Sequence, residues 1–114
     1  MIVAVRDEPS ANRYEVRVDG ELAGFTDYRL RPDRIAFTHT EVLPEFSGRG
    51  LARTLVAEEL DDARRRGLAV LPFCPFVRAA IADDPERWLD LVRPQDRARF
   101  DLPSAPPSAR APEE

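Results

Sequence analysis

The sequence of 114 residues has no lysine, and all 17 of its basic residues are arginine. A Walker-type phosphate loop requires a lysine after its last glycine, so that class is excluded. The chain also offers no side-chain amine of its own for acylation. A genome rich in G and C, which favours arginine codons, accounts for the arginine bias. Cysteine is nearly absent as well: Cys74 stands alone, which excludes an intramolecular disulfide and speaks against a structural zinc site. No metal site is expected. Long apolar runs are missing, none approaching the roughly 20 residues of a membrane span. Only Ile2, Val3, Ala4 and Val5 separate Met1 from Arg6, too little for a signal peptide. The expectation is a cytoplasmic protein without a membrane partner. A net charge of -4 and a pI near 5.1 argue against a nucleic-acid partner, which would call for a basic face.

What remains is ordinary for a soluble globular domain, with 43% hydrophobic and 33% charged residues. One core suits a chain of this length, and a single domain is assigned to 1–100. Residues 101–114 carry prolines and small residues with little to bury, and read as a disordered tail. Ahead of it, Ile2 to Val5 forms a short apolar run, and 14–18 alternates with period two. Asp19-Gly20 then gives a hairpin signal. Gly24 within the next strand suggests a bulge or a weak centre, and Pro32-Asp33 turns the chain again. Three or four hairpin-linked strands are therefore expected before residue 43.

The stretch 41–56 organises the rest of the chain. A run of β-formers over 35–42 ends at Pro44, two glycines come next as Gly48-Arg49-Gly50, and helical spacing starts at once. Leu51, Ala52, Leu55, Val56, Leu60 and Ala63 share one helical face over an expected helix of 48–66. The nearly continuous apolar run 68–73 is expected as a strand covered on both faces. Strand, helix and strand in that order imply a right-handed crossover between parallel neighbours. The fold class is α/β (α+β), a mixed and mostly antiparallel sheet with one strand–glycine turn–helix–strand crossover. Beyond it, a short helix is expected over 76–81 and another over 86–92, the latter led by Asp84-Pro85 and stopped by Pro94.

The start of the long helix is unusual chemically. First turns normally gather acids, yet none occurs from 47 to 55, where Arg49 and Arg53 add positive charge instead. With small side chains at Ser47, Gly48 and Gly50, an anion can approach the unpaired N–H groups. The alternative is that Ser47 caps the helix and the glycines only turn the chain. A dinucleotide fingerprint fits poorly, because Arg53 stands where its third glycine belongs and no acid lies in 68–73.

Ser47-Gly48-Arg49-Gly50-Leu51-Ala52 resembles the pyrophosphate loop of the Gcn5-related N-acetyltransferases, Gln/Arg-x-x-Gly-x-Gly/Ala. It departs from that pattern at its first position, where Ser47 removes a side chain but no amide. Phe37-Thr-His39-Thr-Glu-Val, Pro72-Phe-Cys74-Pro-Phe-Val and Asp84-Pro85-x-x-Trp88 extend the resemblance to about 10–93, toward the small YjdJ-type N-acetyltransferase domain. The resemblance implies a minimal acyl-CoA N-acyltransferase fold whose fourth and fifth strands splay apart around acetyl-CoA. It implies backbone contacts from Val42 and Leu43 to the pantetheine arm. The loop Ser47, Gly48, Arg49, Gly50, Leu51, Ala52 and Arg53 would hold the pyrophosphate. The activity implied is acetyl transfer to an amine acceptor, protein or small molecule; the alternative is a CoA- or acyl-CoA-binding module with little or no catalysis.

Amine acetylation needs a base for the ammonium proton and a donor for the thioester oxygen. His39, the sole histidine, is a candidate base, or else a structural strand residue. Glu41 lies two residues on and hence on the same strand face, where it could orient the imidazole, relay a proton or simply be solvated. Cys74, at the C-terminal end of the buried strand, could accept the acetyl group or protonate the leaving thiolate, with His39 reaching it across the gap. The bland reading makes it a small core hydrophobe. No tyrosine stands nearby to act as acid; Phe73 and Phe76 occupy that region.

Overall fold

Four short-linked strands build the platform on which the later elements sit. In the computed structural model, which describes residues 1–107, these are β1 (Val3–Glu8), β2 (Arg13–Val18), β3 (Glu21–Leu30) and β4 (Arg34–Val42). Each pairs antiparallel with the next. After α1 (Leu51–Arg65), β5 (Ala69–Pro72) pairs parallel with β4, so the sheet order is β1-β2-β3-β4-β5. The mixed, mostly antiparallel sheet and its single crossover match the sequence reading.

Helix α1 lies across the sheet because its apolar stripe is continuous. Leu51, Leu55, Val56, Leu60 and Ala63 are buried against inward-facing Tyr14, Val16, Ile35, Phe37 and Val70. Burying each large side chain is worth about 1.5–3 kcal/mol before chain entropy is subtracted. One acid interrupts the stripe: Glu59 is fully buried among these apolar neighbours.

The C-terminal third differs in detail from expectation. Helix α2 (Pro75–Asp83) forms, but the helix expected over 86–92 is broken. It consists of α3 (Pro85–Trp88), a 3-10 turn at Leu89–Leu91, and, past Pro94, a last turn α4 (Pro94–Arg97). Pro85 starts its helix as the sequence suggests. Trp88, Leu89, Leu91 and Val92 all enter the core, and the chain leaves helical geometry at Val92 (φ -96°, ψ 124°), two residues before Pro94. The guanidiniums of Arg87 and Arg64 stand 4.1 and 5.9 Å from the Trp88 ring centre. The core reaches Leu102, inside the segment assigned to the tail. Its N–H donates to the Arg97 carbonyl (2.9 Å) and its side chain is buried. The remainder of the expected tail, 108–114, lies outside the described residues.

Two irregularities in the ladders set the faces of the strands. Between β2 and β3 the register shifts at Val16/Arg17, opposite the Gly24 region where the sequence suggests a bulge. Between β3 and β4 it shifts at Asp27/Tyr28: Asp27 pairs with His39 and Tyr28 with Phe37, so Thr38 is the extra residue. Ile35 and Phe37 point inward before this bulge, and Thr40 points inward after it.

Candidate active site

The parallel pair covers only the first part of β4. Its ladder runs from Arg34↔Ala69 to Phe37↔Pro72, and the Cys74 N–H still donates to the Phe37 carbonyl at 2.8 Å. There β5 stops and Pro75 turns the chain into α2, while β4 continues to Val42. The 38–42 stretch of β4 therefore has a strand neighbour on one side only. On that side Leu43 already donates its N–H to the Ala23 carbonyl at 2.8 Å. Backbone alternation then turns the Val42 groups toward the open edge.

The chain leaves β4 through a 3-10 turn, Pro44–Phe46, and enters α1 through the two glycines. Gly48 and Gly50 have φ of 77° and 72°, the left-handed region where a Cβ brings strain, and nothing lies within 4 Å of where that Cβ would be. Gly50 is the N-cap residue, and no side chain caps the helix. The Ser47 hydroxyl donates instead to the Pro44 carbonyl at 2.9 Å, so it does not act as the cap. The first helical bond is from Thr54 N–H to Gly50, which leaves the preceding amides of Leu51, Ala52 and Arg53 pointing out of the helix end. No acid sits in this first turn. Arg49 lies over the Phe46 ring (5.4 Å), and Arg53 lines a cavity of about 290 Å³ between α1 and α2–α3 with Arg87, Trp88, Asp83 and Asp84. Open space, oriented amides and nearby guanidiniums are the elements from which an anion site can be built.

His39 and Glu41 do share a face. His39 Nε2 is 3.3 Å from Glu41 Oε1, and both are exposed on the side of β4 away from α1. The Phe25 ring stands 6.1 Å from the imidazole. Cys74 is on the other side. It is 1% exposed, and its thiol donates to Thr40 Oγ1 at 3.1 Å. The structure thus brings His39 and Glu41 together and keeps both away from Cys74. The sequence reading that let His39 reach the thiol is not what the chain does, because the bulge at Thr38 turns His39 outward and Thr40 inward. Tyr14 and Tyr28 are committed elsewhere, their hydroxyls donating to Asp62 and Asp7. Burial, followed by those carboxylates, pushes both phenols above their usual range.

Three polar residues escaped the sequence reading. Thr40 shares a hydrogen bond with Thr26 (2.9 Å), and Thr26 donates to Glu59 Oε1 (2.9 Å). Glu59 Oε2 has no partner. A signal was present for Glu59, since it occupies the apolar stripe of α1 where an acid is out of place. Burial raises its carboxyl well above the ordinary range, and the Thr26 bond offsets this only in part. The sign of the pH effect comes from the proton count. The folded state keeps a proton that the unfolded chain releases above the ordinary value of 4.5, so stability owed to this group falls as pH rises from there toward the folded pKa. Glu59→Gln should remove the decline. Urea unfolding at about pH 5 and pH 8 should show the variant gaining on the wild type at the higher pH; an equal difference at both would contradict a raised carboxyl.

These features define an α/β domain with an uncapped, glycine-led helix start beside a β4 edge that β5 leaves unpaired. The family model described as GCN5-related N-acetyl-transferase matches residues 13–91, from the start of β2 to the turn after α3, and the chain belongs to that family. Among solved structures, the chain is similar to the ribosomal-protein-alanine N-acetyltransferase from Brucella melitensis biovar Abortus 2308. The two are 27% identical with a TM-score of 0.49, over 53% of this chain and 45% of that one. The chain thus spans less than half the length of that structure. No curated protein matches it.

Proposed function

We propose that the chain binds acetyl-CoA across the cleft between β4 and β5 and transfers the acetyl group to an amine. The observation that carries this reading is the uncapped, acid-free start of α1, led by Gly48 and Gly50 and placed beside the parting strands. The amides of the loop from Ser47 to Arg53 hold the pyrophosphate, and Arg49 and Arg53 supply charge around it. Val42 offers backbone groups to the pantetheine arm, and Leu43 shapes the wall below it. Bound acetyl-CoA supplies the thioester carbonyl. His39, oriented by Glu41, accepts the proton released by the attacking amine on the exposed side of β4. The acceptor is an amine that carries positive charge before reaction, which the acidic balance of the chain favours by steering.

Thermal unfolding with acetyl-CoA, against NAD and inorganic phosphate, tests the cofactor. At 100 times the dissociation constant, binding adds about 2.7 kcal/mol, a rise on the order of ten degrees for a domain of this size. Equal shifts with all three ligands, or none, would remove the basis for the reading. A shift without turnover in any amine screen would instead favour a CoA-binding module.

A further inference from the structure

One cavity carries more polar chemistry than its packing uses. It holds about 290 Å³ between the first turns of α1 and the α2–α3 corner. Arg53 joins it to the helix start, since its N–H is one of the unpaired amides there and its side chain lines the cavity. Ala57 on α1 and Ala80 on α2 form part of the wall, and such short side chains leave room beside them. Two guanidiniums, Arg53 and Arg87, and two carboxylates, Asp83 and Asp84, complete the lining together with Trp88. The side chains of Arg53, Asp83 and Asp84 have no hydrogen-bond or ion-pair partner among the described residues. Arg87 donates through Nη2 to Asp61 at 3.4 Å and lies 4.1 Å from the Trp88 ring centre. These contacts position its guanidinium and leave the other donors of the fork open.

Such a lining is selective. Two cations beside two carboxylates suit neither a plain anion nor a plain cation, but they suit a group that carries a phosphate and also donates hydrogen bonds. The volume lies just below the roughly 300–1,000 Å³ of pockets that enclose whole drug-sized ligands, so it takes one end of a cofactor only. The acceptor amine is not served here, because His39 and Glu41 lie on the side of the sheet away from α1.

We propose that this cavity seats the adenosine end of acetyl-CoA, with Arg53 and Arg87 holding its 3′-phosphate and Asp83 or Asp84 accepting from the amino group of the base. The inference rests on the acetyl-CoA reading and adds a requirement to it: the chain distinguishes the cofactor from its 3′-dephospho form. With the pyrophosphate at the amides of Leu51, Ala52 and Arg53, the cofactor divides at that point. The pantetheine arm runs toward Val42, and the ribose runs past Arg53 into the cavity. The base fills the room beside Ala57 and Ala80. Guanidiniums match phosphate oxygens in a fork geometry, which makes the 3′-phosphate the group on which recognition turns.

Calorimetric titration of the full chain with acetyl-CoA, its 3′-dephospho analogue and adenosine 3′,5′-bisphosphate tests this. Acetyl-CoA should bind at least about tenfold more tightly than the dephospho form, the scale of one charge-assisted hydrogen bond. Arg87→Met, which keeps an apolar stem against Trp88, should cut that preference to about twofold or less. Thermal unfolding checks the variant, and the wild-type comparison of the two cofactors needs no variant at all. Adenosine 3′,5′-bisphosphate has neither pantetheine arm nor thioester, so it reads the cavity apart from the acyl end. It should bind and shift the emission of Trp88, the only tryptophan. Equal affinity for acetyl-CoA and its dephospho form would overturn this inference and leave the acetyl-CoA reading standing. Binding of neither would remove that reading and the inference with it. A preference that persists in Arg87→Met, or a bisphosphate that binds without changing Trp88 emission, would put the 3′-phosphate elsewhere and equally overturn the assignment.

Discussion

Replacing Phe37 by alanine should destabilise the protein by about 3–5 kcal/mol, the usual range for deleting a buried aromatic ring. Phe37 is fully buried, and its ring lies 6.1 Å from that of Tyr14, across β3 on β2. It is also the last β4 residue paired with β5, through Pro72, and its carbonyl accepts the Cys74 N–H. The cavity would therefore open at the apex of the cleft, where β5 and the start of α2 depend on it. Against a total stability of about 5–15 kcal/mol the loss is a large share. Urea unfolding gives the number directly, and a loss below about 1 kcal/mol would mean that the core around β4 can collapse and is not held by this ring.

Gly24→Ala should have the next largest effect, for the opposite reason. A Cβ at this position would sit 2.7 Å from the Glu41 carbonyl oxygen, 3.2 Å from Val16 Cγ1 and 3.3 Å from Val42 Cα. The nearest obstacle is backbone of the paired strand, which cannot rotate aside as a side chain can. Overpacking of this kind costs about 1–3 kcal/mol. Relief requires β4 to move at Glu41 and Val42, the stretch that borders the cleft. The variant should thus lose both thermal stability and the acetyl-CoA-induced shift. Full retention of that shift in a destabilised Gly24→Ala protein would detach the Glu41–Val42 backbone from cofactor binding.

Much of the framework was legible because it rests on local rules. Asp19-Gly20 does join β2 to β3, the period-two and helical patterns place β2 and α1, and 68–73 contains β5. The long helix begins at Leu51 and not at 48, since Gly48 and Gly50 adopt the left-handed conformation and no helix continues through them. The broken 86–92 segment was not legible, because which of Trp88, Leu89, Leu91 and Val92 must turn inward depends on what they meet.

By itself the sequence determined the platform of strands, the glycine-led helix start with its missing acids, and the pairing of His39 with Glu41 on one face. Each rests on spacing along a single element. Only the tertiary structure decided which face that was. The bulge at Thr38 arises from pairing with β3, and it reverses the alternation that Ile35 and Phe37 begin. Through it Thr40 meets Thr26 and Cys74, and a carboxyl on α1 closes the chain of contacts. Four residues separated by 14 to 34 positions become neighbours only when β3, β4, α1 and the end of β5 are packed together, because such contacts are set by register and not by any local pattern.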